Sequence, residues 1–252
     1  MTYKSVAIEA AKKAGKILKL EFKSVSSFKD KAKHDIVSDA DYRSEKEIIK
    51  IINSAFPKHS ITAEESGKNE KSSDYTWYID PLDGTSNFII GNPYFSVSIA
   101  LSHADKIILG VVYNPILNEL YFAERGKGSF LNGKPIRVSD RSDIKGAILA
   151  SAYSSDERDI AKGLKTIEKL SLSSRKVIIS FSPALNLCNI ARGRIDGLID
   201  NGTTPEDHAA GSLIVTEAGG KIQNYNSNSW DVNKTGIIAS NKKLHMSILR
   251  II

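Results

Sequence analysis

The sequence predicts an α/β (α+β) protein, and three observations carry that prediction. Apolar residues recur at three- and four-residue steps before residue 56, as in helices. From residue 76 the apolar period shortens to two, and beyond residue 146 strand-like and helix-like segments alternate.

Taken in order, Ile8, Ala11, Gly15, Leu18 and Phe22 mark one face of an amphipathic helix over about residues 3 to 23, with lysines outside. The polar stretch KSVSSFKDKAKHDIVSDAD then reads as a mobile loop. A second helix is expected from Tyr42 towards Ala55, with Ile48, Ile51, Ile52 and Ala55 inward and Phe56-Pro57 ending it. Asp41 reads as its N-cap, with Glu45 in the first turn. Phe95, Val97, Ile99 and Leu101 alternate with Ser96, Ser98 and Ala100. Lys106 to Tyr113, Leu120 to Glu124 and Ser129 to Leu131 follow across the turn signals HAD, NP, RGKG and NG, so an antiparallel meander is expected.

The second half predicts strands at Ala147 to Ala152, Lys176 to Phe181 and Ile195 to Asp200. Helices are expected after Ser155-Asp156, after Pro183 and from Thr204. Strands near 221 to 225 and 236 to 240 and a helix from Asn241 close the chain. No linker separates residues 1–145, an α+β half, from residues 146–252, an α/β half, so an extensive shared interface is expected.

Composition narrows the function. With 41% apolar and 25% charged residues the chain reads as globular, and no segment approaches the roughly 18 apolar residues of a membrane span. Lysines and an acid interrupt the N-terminus, which lacks a signal-peptide centre; a cytoplasmic protein without a membrane partner is expected. Thirty-five basic against 29 acidic residues give a net charge of +6, spread along the chain as lysines. That favours an anionic ligand, and no arginine-rich stripe interleaved with aromatics points to nucleic acid. The single Cys188, beside Leu187 and Ile190, excludes an intramolecular disulfide and a multi-cysteine zinc site and reads as a buried thiol.

The chemistry concentrates in four stretches. In TWYIDPLDGTSNF, residues 76 to 88, a strand of bulky apolar residues meets Asp80 and Asp83, with Gly84, Thr85 and Ser86 behind them. Asp-Pro or Asp-Gly alone is a turn signal, but two carboxylates and two hydroxyls at a strand mouth suit a hard cation. Gly84-Thr85-Ser86 could open a short helix whose amides face an anion, so metal beside phosphate is the natural reading. Glu64-Glu65-Ser66-Gly67 follows a short apolar run; alone, two adjacent glutamates are usually solvated. Asp35-Ile36-Val37-Ser38-Asp39-Ala40-Asp41 is compatible with a cap. Thr204-Pro205-Glu206-Asp207 is a helix start in which Asp207 is structural or a metal ligand.

Together these stretches resemble the inositol monophosphatase family of lithium-sensitive, magnesium-dependent phosphatases. The signature W-x-x-D-P-x-D-G-T-x-N-F is complete from Trp77 to Phe88. Asp207-His208-Ala209-Ala210-Gly211 with Glu217-Ala218-Gly219-Gly220 is similar to the C-terminal signature, and the other two stretches match in order and spacing. The resemblance implies a layered α-β-α-β-α sugar-phosphatase fold. It implies metal ligands Glu64, Asp80, the Leu82 carbonyl, Asp83 and Asp207, for two Mg²⁺ ions, with Glu65 and Asp41 around them near a third, weaker ion. Glu64, Thr85 and Asp41 would be catalytic. Asp83, Gly84, Thr85, Ser86, Ser182, Asp200 and Asp207 would bind substrate, with Ser154 or Ser155 as further contacts.

The implied reaction is hydrolysis of a small polyol or sugar phosphate, above all myo-inositol 1-phosphate, by direct in-line attack of metal-activated water. Fructose 1,6-bisphosphate, or both, and then a 3′,5′-bisphosphate nucleotide are the alternatives; a homodimer is also implied. Two departures stand out: Glu206 where relatives commonly carry tryptophan, and Ser182-Pro183-Ala184 in place of G-[ST]-A. A haloacid-dehalogenase-type phosphatase shares D-x-D-G-T, but there the aspartates are two apart; here they are three apart.

Overall fold

The computed structural model describes residues 1–22, 28–32, 35–154 and 156–252. The chain begins with α1 (Tyr3–Glu21), β1 (Phe28–Ala32), β2 (Asp35–Ser38), α2 (Asp39–Ala55), β3 (Ser60–Ala63) and β4 (Gly67–Asn69). There follow β5 (Tyr75–Asp83), α3 (Thr85–Ile89), β6 (Ser96–His103), β7 (Lys106–Asn114), β8 (Glu119–Glu124), β9 (Ser129–Leu131) and β10 (Lys134–Pro135). Next come β11 (Ile148–Ala152), α4 (Glu157–Ser173), β12 (Lys176–Ile178), α5 (Pro183–Ala191), β13 (Gly197–Asp200) and α6 (Pro205–Glu217). The last elements are β14 (Lys221–Asn224), β15 (Ile237–Ser240) and α7 (His245–Leu249).

Strands β3 to β10 form one sheet in the order β10-β9-β8-β7-β6-β5-β3-β4, and a second sheet runs β12-β11-β13-β15-β14. The meander from β5 to β10 is antiparallel throughout, as the period-two pattern requires.

Among the described residues, three apolar cores hold five layers together. Val6, Ala10, Ala14 and Leu18 of α1 and Ile48 and Ile52 of α2 pack on Trp77, Ile79, Ile99 and Val111 of the large sheet. The other face of that sheet, through Tyr78, Ala100 and Val112, meets α5 and α6, which also cover Ala150, Leu198 and Ala239 of the second sheet. Leu170 of α4 and Ile248 of α7 close the far face on Leu149, Ile199 and Ile238. The order is therefore α-β-α-β-α. The middle layer needs small residues: a Cβ on Gly110 of β7 would lie 2.5 Å from the Ala210 carbonyl oxygen of α6.

Several boundaries differ from expectation. The stretch read as a mobile loop contains an antiparallel ladder, Phe28 opposite Ser38 and Lys29 opposite Val37. Backbone pairing needs no apolar pattern, and the charges hid it; residues 23–27 and 33–34 lie outside the described residues. Helix α2 begins at Asp39, because Ser38 is the N-cap and its N–H and hydroxyl donate to Asp41 Oδ2 at 2.9 and 2.6 Å. Asp41 is thus the third helical residue rather than the cap. Strand β12 stops at Ile178, ahead of a left-handed residue at Phe181 (φ +48°). Asn241 opens a turn, not a helix: its side chain accepts the Leu244 N–H at 2.9 Å, and α7 starts at His245.

Candidate active site

The first strand of interest does not end where its apolar run ends. β5 continues through Pro81 to Asp83, with Asp80 opposite Ser98 and Asp83 opposite Ser96 of β6 and an irregularity between them. In a regular strand, residues three apart point to opposite faces. The extra residue lets a three-residue step on β5 match a two-residue step on β6, so Asp80 and Asp83 share a face. Gly84 then turns the chain with φ +91°, and Thr85–Ile89 form α3. A Cβ on Gly84 would sit 3.0 Å from the Tyr94 carbonyl oxygen, so space and backbone angle both call for glycine.

That face opens on a cavity of about 210 Å³ whose walls include Glu64, Asp80, Asp83, Thr85, Asp200 and Asp207. The Leu82 and Gly84 segment completes the near wall, and Asp207 is presented by the first turn of α6. Thr204 caps that helix, its N–H donating to Asp207 Oδ2 at 2.7 Å, so Asp207 serves the helix start and faces the cavity at once. Pro205 at the first helical position and the dipole favour this placement.

The charges are crowded. Burial first, then the charges of Glu64, Asp83 and Asp207, hold Asp80 well above the usual carboxylate range. Asp207 is raised in the same way, by burial and then by Glu64. Burial lifts Asp83 to about 6 against the hydrogen bonds that favour its charge. Ser96 donates to Asp83 Oδ2 at 2.8 Å, the Ser182 hydroxyl donates to the same oxygen, and the Ala184 N–H donates to Oδ1 at 3.2 Å. Asp200, lifted by burial to about 6, accepts the Gly202 N–H at 3.0 Å.

Thr85 and Asp41 come together across 44 residues of sequence: Thr85 Oγ1 lies 3.2 Å from Asp41 Oδ1 and 3.1 Å from the Leu82 carbonyl oxygen. Burial lifts Asp41 to about 6, with the Ser38 hydrogen bonds pulling the other way. Asp41 itself stands behind Thr85 and off the cavity wall.

Other expected residues are less central. Ser86 is exposed on α3 and does not line the cavity, because the first turn of the helix points it outward. Ser182 is fully buried and acts on Asp83 from behind. Ser154 lines the cavity, its hydroxyl donating to Asp159 at 3.0 Å, and Ser155 lies outside the described residues. The Glu206 carbonyl accepts from Ser98 at 3.4 Å, and its side chain is not part of the wall. Cys188 is buried, and burial pushes its thiol up, which makes it inert.

Glu45, expected as a first-turn acid, also supports a neighbouring turn. Its carboxylate accepts the Glu65 N–H at 2.8 Å and the Ser66 N–H at 2.9 Å, holding the turn that carries Glu64. The signal was available: positions 41, 45, 48 and 52 recur at helical spacing, and all four are buried, so two acids sit on an otherwise apolar stripe. Glu45→Ala is expected to lower unfolding free energy by about 2–3 kcal/mol, since bonds to a buried charged group are lost and two amides left unpaired. Urea titration checks this; an unchanged midpoint would remove Glu45 from the support of the turn.

The cavity fits a divalent cation by donor chemistry. Every candidate ligand is a carboxylate or carbonyl oxygen, the preference of magnesium. Among the described residues, no lysine, arginine or histidine forms an ion pair with Asp80, Asp83 or Asp207, so no basic side chain there offsets their charge. Among the same residues no three His, Cys, Asp or Glu side chains already close around one point, and Asp83 has both oxygens on serine and amide donors.

The sequence profile described as the inositol monophosphatase family matches residues 2–252. Inositol monophosphatase 2 of Solanum lycopersicum is 40% identical over 248 residues, covering 95% of this chain and 93% of the relative. A protein of Haemophilus influenzae named Nus factor SuhB is 38% identical over 249 residues, covering 97% and 93%. The solved structure of a Thermotoga maritima IMPase superposes with a TM-score of 0.91 at 34% identity, covering 100% of this chain and 96% of that one.

Proposed function

Because the chain belongs to the inositol monophosphatase family and is thereby a phosphoric monoester hydrolase, we propose that it is a Mg²⁺-dependent phosphatase of small polyol or sugar phosphates, myo-inositol 1-phosphate foremost. The carrying observation is the irregularity in β5, which turns Asp80 and Asp83 to one face, on the cavity that Glu64 and Asp207 also line. The Nus factor name belongs to the Haemophilus relative; here the four carboxylates around one cavity favour the hydrolase reading.

Glu64, Asp80, the Leu82 carbonyl, Asp83 and Asp207 would hold two Mg²⁺ ions. Bound there, they supply charge neutralisation of the phosphoryl oxygens and acidification of water. The protein's own groups do the positioning. The Gly84 and Thr85 amides at the start of α3 would donate to the phosphate, and Thr85, when its hydroxyl hydrogen goes to Asp41 rather than to the Leu82 carbonyl, offers lone pairs that orient a water. Attack in line by that water needs no covalent intermediate.

Phosphate release from myo-inositol 1-phosphate, fructose 1,6-bisphosphate and adenosine 3′,5′-bisphosphate, with Mg²⁺ and after chelation, tests the proposal. The inositol ester is expected to be hydrolysed fastest and only with metal. Activity that survives chelation would sink the metal assignment, and a faster nucleotide reaction would move the substrate.

Ligand linkage gives a second check. Mg²⁺ that binds the folded chain alone, at a hundred times its dissociation constant, adds about 2.7 kcal/mol. For a chain of this size that is a rise of roughly 5–10 °C in melting temperature by scanning calorimetry. No rise would mean that the carboxylates do not gather the ion.

A further inference from the structure

The mouth of the cavity carries two aromatic side chains that the hydrolytic groups do not need. Tyr153 and Phe181 both line it, with ring centroids 6.0 Å apart and planes at 82°. Phe181 is 45% exposed, so its ring is not there to fill the core.

Both rings are held in place at a local cost. Phe181 has φ +48°, a left-handed backbone that a bulky residue adopts only when its surroundings impose it. The constraint comes from either side. Asn87 Nδ2 donates to the Ser180 carbonyl at 2.6 Å, and the Ser182 hydroxyl donates to Asp83. Tyr153 needs a gap in α4: a Cβ on Gly163 would lie 2.6 Å from Tyr153 Cβ. A glycine in mid-helix weakens the helix, and the space it leaves is taken by this tyrosine. Two independent concessions therefore bring two rings to one opening, next to the carboxylates.

We propose that Tyr153 and Phe181 are the specificity-determining surface of this site and take the C–H face of a ring-shaped leaving alcohol, a cyclic polyol or sugar. The inference rests on the phosphatase reading above. A cyclic alcohol presents several C–H groups in one plane, which suit the negative face of an aromatic ring, while its hydroxyls remain at the edge. An acyclic alcohol offers no such face without freezing its own rotations. Exposed Ile178 and Ile179 adjoin Phe181 in sequence and would suit a contact between copies, but neither lines the cavity and Phe181 does.

The test compares kcat/KM for myo-inositol 1-phosphate with kcat/KM for glycerol 2-phosphate. In Phe181→Ala the ratio of ring to acyclic ester is expected to fall about tenfold, chiefly through KM, and in Tyr153→Ala by a smaller factor. Phe181→Gly controls for folding: it fits the left-handed backbone, so its melting temperature should equal or exceed that of the parent while the ratio falls equally. A ratio unchanged within about twofold in both Phe181 variants would overturn the proposal. So would an unchanged ratio with loss of a dimer by light scattering, which would assign the ring to a contact between copies. If the parent protein hydrolyses neither ester, the phosphatase reading fails by itself. Calorimetric binding of the two esters then judges the aromatic surface, and a Phe181→Ala protein that keeps the parent's preference overturns it.

Discussion

Asp80→Asn is expected to abolish phosphate release, by at least about 10³-fold, and to raise the melting temperature of the metal-free protein in the same preparation. The loss follows from position. Asp80 lies at the centre of the acidic wall, with Glu64, Asp83 and Asp207 all acting on its charge, and an amide there would weaken every shared cation contact. A cation at such a site supplies several kcal/mol of transition-state stabilisation, and about 4 kcal/mol corresponds to a factor of about 10³.

The gain in stability has the same origin with the opposite sign. Asp80 is 2% exposed and surrounded by like charge. Asparagine removes one buried charge, keeps the oxygen that accepts the Leu82 N–H at 2.9 Å, and offers an amide to neighbouring carboxylates. A rise of roughly 1–2 kcal/mol is expected without metal, and the Mg²⁺-induced rise in melting temperature should shrink. Denaturant titration with and without Mg²⁺ measures both. A variant that is inactive and also less stable without metal would mean that Asp80 is a structural acid, its charge already satisfied by the protein.

The fold was readable wherever a period was long enough to repeat. The meander from Ser96 to Leu131 and the helices α1 and α2 follow from apolar spacing, α4 and α6 were marked by their start signals at Ser155-Asp156 and Thr204-Pro205, and the motif at Trp77 to Phe88 carried the family. Features made by one bond or one backbone angle were not readable. Asp41 looked like a cap because a cap and a third helical residue have the same composition; only the Ser38 hydrogen bonds distinguish them. The three-residue spacing of Asp80 and Asp83 pointed to a shared site, but no sequence rule places the irregularity that makes it geometrically possible. Phe181 and Tyr153 had no signal, since a left-handed phenylalanine and the glycine across from a tyrosine become visible only when distant segments meet.

The Thr85 and Asp41 pair makes the sharpest demand on turnover apart from the carboxylate wall. Thr85 has one hydroxyl hydrogen and two acceptors in range, Asp41 Oδ1 and the Leu82 carbonyl. Asp41 cannot swing away, because Ser38 holds its other oxygen with two hydrogen bonds and the residue is 1% exposed. When the hydrogen goes to Asp41, the threonine oxygen can only accept from the cavity side, and a water there is oriented with its own lone pair free to attack.

Thr85→Val keeps the shape and removes the hydroxyl; Asp41→Asn keeps the shape and removes the charge. Each is expected to lower kcat by about 10²–10⁴-fold with KM changed far less. Because the two act as one unit, the double variant should be little worse than either single one. Neither change replaces an expected metal ligand, so the Mg²⁺-induced rise in melting temperature should persist in Thr85→Val. Additive losses in the double variant would separate the two residues, and a Thr85→Val enzyme within about threefold of the parent would leave the water to be oriented by Glu64 alone.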